Sequence, residues 1–148
     1  MITATLKAIL TASGCTLVIY EQDKLAGIYT DQSDQTSIVG LVTQLNTMTL
    51  ESRANAIHEH YAPLYIEVMQ QVSLEDSADN NEVRLQNLLN ICKQVIVRII
   101  AEGTLKHIGP VPVEKILENK YDANVIGWIM TLDLYYLLNE NRDPCISP

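Results

Sequence analysis

Residues 82–102 constrain the fold more than any other stretch of this sequence. Val83, Leu85, Leu88, Leu89, Cys92, Val95, Ile96, Ile99 and Ile100 recur at spacings of three and four, which lays a broad apolar stripe along one face of a helix. Arg84, Asn87, Lys93, Gln94 and Arg98 fall between them and face water at least in part. Upstream, Asp79, Asn80 and Asn81 are all N-cap residue types, and Gly103 stands where a glycine stops a helix. Such a helix is roughly 30 Å long at about 1.5 Å per residue. A stripe of that length requires an apolar partner. The other apolar segments read as strands, so the predicted partner is a sheet.

Residues 2–12 place Ile2, Leu6, Ile9 and Leu10 at helical spacing, and Ser13 and Gly14 break the pattern. This predicts a short N-terminal helix, whose thin apolar face packs across the sheet or against a neighbouring subunit. Residues 15–20 are rich in β-formers and read as a strand. A polar turn at 21–24 then lets 25–29 pair back as the second arm of a hairpin. Residues 30–36 are polar and lack the twelve-residue calcium pattern. Residues 37–50 read as one strand, or a strand and a turn, with Gly40 marking a bulge or a close backbone approach.

Ala54, Ala56, Ile57 and Tyr61 suit a short helix over 51–61, although Pro63 biases the residue before it towards extended geometry. Residues 64–72 alternate, with Leu64, Ile66, Val68 and Gln70 on one face and Tyr65, Glu67, Met69 and Gln71 on the other, the pattern of a half-buried strand. An acidic linker at 73–81 leads into the long helix. Past Gly103, the segment 104–112 contains Gly109, Pro110 and Pro112, so irregular structure is expected there. Residues 113–117 form a short helical turn or a strand, and 118–124 are polar.

The strongest strand is 125–138. Ile126, Trp128, Met130, Leu132, Leu134 and Tyr136 fall on one face, with Val125, Gly127, Ile129, Thr131, Asp133, Tyr135 and Leu137 on the other. Both faces are largely apolar, which implies cover on each side. Residues 139–148 read as an arm with little structure of its own. Together these elements predict one α+β domain over 1–148. A mostly antiparallel sheet carries one long packed helix and a short N-terminal helix, with a loop protruding near 104–112.

The charge balance narrows the function. Ten Lys and Arg stand against eighteen Asp and Glu, a formal net charge of -8. No basic run appears, which argues against nucleic-acid binding. An acidic surface suits solubility, and it also suits the wall of an acidic channel. No apolar run reaches the roughly eighteen residues of a membrane helix, and the N-terminus does not read as a signal peptide. Cys15, Cys92 and Cys145 are odd in number and far apart. That argues against a disulfide framework or a zinc knuckle and suits a reducing compartment.

Chemistry-bearing motifs are missing. The six glycines never cluster as a phosphate cradle, and no serine sits in a nucleophile elbow. A cysteine paired with His58, His60 or His107 is an inexpensive coincidence of common residues. His58 and His60 are two apart, so they share a face if the segment is a strand, but a third metal ligand is not evident. Glu67 and Asp133 lie on candidate strands; as inward carboxylates they would suit acid–base work, and as outward acids they are ordinary strand surface. No catalytic residue, cofactor or metal site is expected, and the chain does not read as an enzyme. Seven tyrosines and one tryptophan with no phenylalanine suit contact surfaces.

The C-terminal third carries a resemblance. Asp122 and Asn124 in a polar turn are followed by Gly127-Trp128 and a long alternating strand. Asn141-Arg142-Asp143-Pro144-Cys145 comes last. This order resembles small neck and tail-completion proteins of tailed bacteriophages, and the upstream layout of short helix, hairpin, strand, long helix and final strand is similar. The resemblance implies a structural subunit, such as a tail terminator, that forms a homo-oligomeric ring between the head–tail connector and the tail tube. It implies other virion neck and tail proteins as partners, DNA only passing through a channel, and no membrane. The implied location is the virion neck or tail, after assembly in the host cytoplasm. Tyr29, Pro110, Pro112, Tyr135, Arg142 and Pro144 are the interface candidates. The alternative reading is a small cellular adaptor or peptide-binding module.

Overall fold

The computed structural model describes residues 2–20, 36–53, 56–72, 78–116 and 124–137. Helix α1 (Ile2–Ser13) leads to β1 (Leu17–Ile19), β2 (Ile38–Thr43), β3 (Thr49–Arg53) and β4 (Ala56–Gln71). Helix α2 (Ala78–Ala101) follows, and then β5 (Leu105–His107), β6 (Val113–Lys115) and β7 (Val125–Leu137). The fold is α+β, with all seven described strands in one sheet of order β1-β2-β4-β7-β5, β3 beside β4 and β6 beside β7. Only β1–β2 is parallel among the described pairings; the other five are antiparallel.

The long strands β4 and β7 form the central pair. On one flank of β4, β3 meets its first half and β2 its second half. On the outer flank of β7, β6 and β5 lie in series. Both helices cover one face of this sheet, where Leu6 and Leu10 of α1 and Leu88, Val95 and Ile99 of α2 are fully buried with Leu64, Ile66, Val68 and Met130. Each such side chain contributes about 1.5–3 kcal/mol when removed from water. On the opposite face Ile19, Val39, Leu41, Met69, Ile116 and Val125 form a second cluster. The two-faced burial expected of the final strand therefore extends to β4, where Glu67 and Gln71 are also buried.

Several sequence expectations shift in register. Helix α2 begins at Ala78, which places Asp79, Asn80 and Asn81 inside its first turn rather than at a cap ahead of residue 82. Its buried row is Leu85, Leu88, Cys92, Val95 and Ile99 with Ile91, whereas Val83 and Ile100 are 71 % and 73 % exposed. The apolar stripe is thus wider than the surface that covers it. Trp128 anchors this helix to the sheet, its Nε1–H donating to the Leu85 carbonyl at 2.9 Å. Gly103 is not in the left-handed region. That role belongs to Gly14 after α1, at φ 125°, where the Gly14 and Cys15 amides donate to the Thr11 and Leu10 carbonyls at 3.2 and 3.0 Å.

Residues 51–61 are extended, not helical: β3 ends the 49–53 stretch and β4 starts at Ala56. Pairing on both sides, to β3 and to β7, outweighs a weak helical pattern. Pro63 is accommodated where the β4–β7 register shifts between Tyr61 and Leu64, a bulge where a proline interrupts no ladder hydrogen bond. The segment expected to be irregular after Gly103 contains β5, and 113–115 is strand β6. Gly40 is a close approach: an added methyl would meet Cys15 Sγ at 3.1 Å and Leu10 Cδ1 at 3.3 Å. The hairpin arm at 25–29, the polar turn at 118–123 and the arm at 139–148 lie outside the described residues. Among the described residues no helix is long and apolar enough to cross a membrane.

Candidate functional site

Two apolar surfaces sit at opposite edges of the sheet. The first is a groove of about 480 Å³ between α2 and the chain joining β5 to β6, lined by Lys93, Ile96, Ile100, Pro110, Val111, Val113 and Met130 among others. Helical spacing brings Lys93, Ile96 and Ile100 to one side of α2, and Val113 stands opposite Met130 on the helix-covered face of the sheet. The loop expected to protrude is held along the sheet: the Ile108 amide donates to the Asp133 carbonyl at 2.9 Å, and the Thr131 amide to the Pro112 carbonyl at 3.0 Å. Two prolines then limit what backbone freedom is left. In the lining, the buried Nε2 of His107 has no hydrogen-bond partner among the described residues. Ile100 of α2 and Val113 of β6, both in its lining, are exposed.

The second surface lies across the sheet on β3 and the start of β4. Leu50 is 60 % exposed, with Ile57 and Met48 also exposed beside it. Leu50 pairs directly with Glu59, so an apolar side chain and a carboxylate stand next to each other on the helix side of the sheet. The Glu59 carboxylate accepts the Tyr61 hydroxyl at 2.8 Å. Burial, then this bond, raises the Tyr61 hydroxyl above the usual phenolic range.

On the reverse face of the same end is a polar cluster that joins three strands. His60 Nδ1 lies 2.5 Å from Glu51 Oε2, and Nε2 lies 2.5 Å from Asp133 Oδ1. The imidazole stacks on the ring of Tyr135, centroids 4.0 Å apart and planes 3° off parallel. The Tyr135 hydroxyl donates to Glu51 Oε1 at 2.9 Å. The imidazole of β4 thus bridges a carboxylate of β3 and a carboxylate of β7, and the cluster staples the three strands together.

The acids weighed as a catalytic pair are not brought together. Glu67 stands opposite Ile129, and Asp133 is four residues further along β7, roughly 13 Å away at about 3.3 Å per residue. Glu67 instead lines a separate pocket with Tyr65, Glu114 and Thr131. The Cys15 and Cys92 thiols are pushed up to about 12 by burial, which holds both in the neutral form, a poor nucleophile. Among the described residues no group of three or more His, Cys, Asp or Glu is placed to hold a metal ion.

Of the interface candidates, Pro110 lines the groove and Pro112 is exposed beside it. Tyr135 is buried in the staple. Tyr29, Arg142 and Pro144 lie outside the described residues. Sequence reasoning missed the contribution of Lys93, Ile100, Leu50 and Ile57 to the two edge surfaces. The signal was present in part, since Ile100 sits at the margin of the apolar stripe and Leu50 is the last of the apolar residues spread through 38–50. No family model, no curated protein and no solved structure matches the chain.

Proposed function

We propose that this chain is a structural subunit of a tailed-bacteriophage neck or tail, forming a homo-oligomeric ring that joins connector to tail tube in a terminator or head–tail joining role. The observation that carries the reading is the exposure of Leu50, Ile57, Ile100 and Val113 on a small domain. Large apolar side chains held in water in two groups suit a protein whose working state is an assembly. The resemblance of the C-terminal third supports the same reading. Its role is mechanical and involves no catalytic step. Other virion neck and tail proteins are its flanking partners, and DNA passes through the channel without a basic surface to bind it.

A net charge of -8 per chain opposes assembly at low salt, where like charges act over tens of ångströms, and screening at higher ionic strength relieves it. The experiment is immunogold labelling of particles of the encoding virus with an antibody to this chain. Label confined to the head–tail junction or tail end is expected. Particles without label would overturn the reading. A small adaptor or peptide-binding module is the second reading, favoured by the groove of about 480 Å³ beside α2, whose size suits a short apolar segment.

A further inference from the structure

The two apolar surfaces are complementary in position, chemistry and charge. We infer that they are the two halves of one head-to-tail contact, in which the β3–β4 edge of one copy docks into the groove between α2 and β6 of the next. This deepens the ring reading and rests on it only for closure; the contact itself rests on the surfaces.

Position comes from the sheet order. β3 lies beyond β4 and β6 beyond β7, so the surfaces lie on opposite flanks of the central pair. A contact between different patches on identical chains repeats from copy to copy. It yields a ring where the rotation closes and a filament where it does not. Both surfaces also face the helix side of the sheet. Leu50 pairs with Glu59 on that side, and Val113 with Met130. Among the described residues each lies on a strand with one paired neighbour, β4 for β3 and β7 for β6. Such edges invite pairing unless they are covered.

Charge selects the occupant. Lys93 lines the groove, and Lys115 of β6 stands nearby on the same side, its Nζ 5.9 Å from the Trp128 ring centroid. The docking edge carries Glu59 beside Leu50. In a chain of net charge -8, a groove lined by Lys93 and an acid beside the apolar edge turn a general repulsion into a local attraction that fixes the partner's orientation. Ile100 and Leu50, 73 % and 60 % exposed, are the side chains that gain most from burial.

The test is sedimentation velocity of the full chain over a concentration series, for wild type, Ile100→Glu, Leu50→Glu and an equimolar mixture of the two variants. Circular dichroism and urea midpoints check that each variant is folded. Wild type is expected to associate. Each variant alone should associate roughly tenfold or more weakly. The mixture should recover one contact only, because Leu50→Glu keeps an intact groove and Ile100→Glu an intact edge, so it should stop at dimers. A second set guards against a misfolded variant: Lys93→Glu and Glu59→Lys should each weaken association, and the two combined in one chain should restore it.

Loss of association in Ile100→Glu but not in Leu50→Glu would overturn the assigned occupant, because the groove would then meet a patch other than the β3–β4 edge. A wild-type ring unchanged by either variant would overturn the contact and leave the ring reading standing. Open chains sensitive to both variants would support the contact and defeat the ring. A wild type that stays monomeric throughout would overturn both.

Discussion

Replacing Gly127 with alanine should damage this fold far more than a single methyl normally does. Gly127 pairs with Met69 in the β4–β7 ladder, two residues from the start of β7. A methyl carbon there would lie 2.0 Å from the Val68 carbonyl oxygen and 2.8 Å from the Met69 Cα. The first distance is about 1.3 Å short of an ordinary carbon–oxygen contact of about 3.3 Å. The obstructing atoms are backbone of the central strand, so no side chain can swing away. The strands must separate, at an overpacking cost of about 1–3 kcal/mol plus about 1 kcal/mol for each ladder bond lost. Reduced freedom of the unfolded chain returns about 0.4–1 kcal/mol. The net expectation is a loss of about 2–4 kcal/mol. Urea unfolding followed by emission of Trp128, the one tryptophan, measures it directly. Gly40→Ala is the control, because its methyl meets only side-chain atoms, at 3.1 Å and beyond, and it should cost less. A Gly127→Ala change below about 0.5 kcal/mol, or one smaller than that of Gly40→Ala, would refute the close-approach reasoning.

Leu88→Ala and Ile99→Ala remove fully buried side chains of α2 and should each cost about 2–5 kcal/mol in urea melts, while Val83→Ala on the exposed side should stay within about 0.5 kcal/mol. A double-mutant cycle between His60→Ala and Asp133→Ala should give a coupling of about 0.5–2 kcal/mol, and zero coupling would remove the staple. The Cys15 thiol sits at about 12 against an ordinary 9.0, so the fold favours its protonated form. Its contribution to stability is intact below pH 9.0 and lost as pH rises towards about 12. Native Cys15 and Cys92 should accordingly resist iodoacetamide at pH 8, and rapid labelling without unfolding would contradict their burial.

What the sequence made legible was periodicity. The alternation in 64–72 and 125–138 placed Leu64, Ile66, Met130 and Leu132 on one face, and all four are buried with the helices. The long helix was legible because its stripe repeats over many turns. Its N-terminus was not, because Asp79, Asn80 and Asn81 serve equally well as caps or as first-turn residues. The strand at 56–61 was hidden because Ala56 and Ile57 suit either period, and pairing with β3 and β7 decides between them. The staple was illegible for a related reason. Two histidines two residues apart announce a shared face, but only the register that sets His60 against Tyr135 brings Glu51 and Asp133 to the same ring. Register is a long-range property, and the groove depends on it too, since it needs Val113 to meet Met130 beneath α2.

The claim that this chain works as a ring subunit is tested most directly by the mass of the purified chain in solution. Light scattering over a range of concentration and salt should give a discrete species at an integer multiple of 16.6 kDa, favoured as salt screens the charge of -8, and negative-stain images of that species should show a closed outline with a central hole. A mass of 16.6 kDa at every concentration and salt would contradict it.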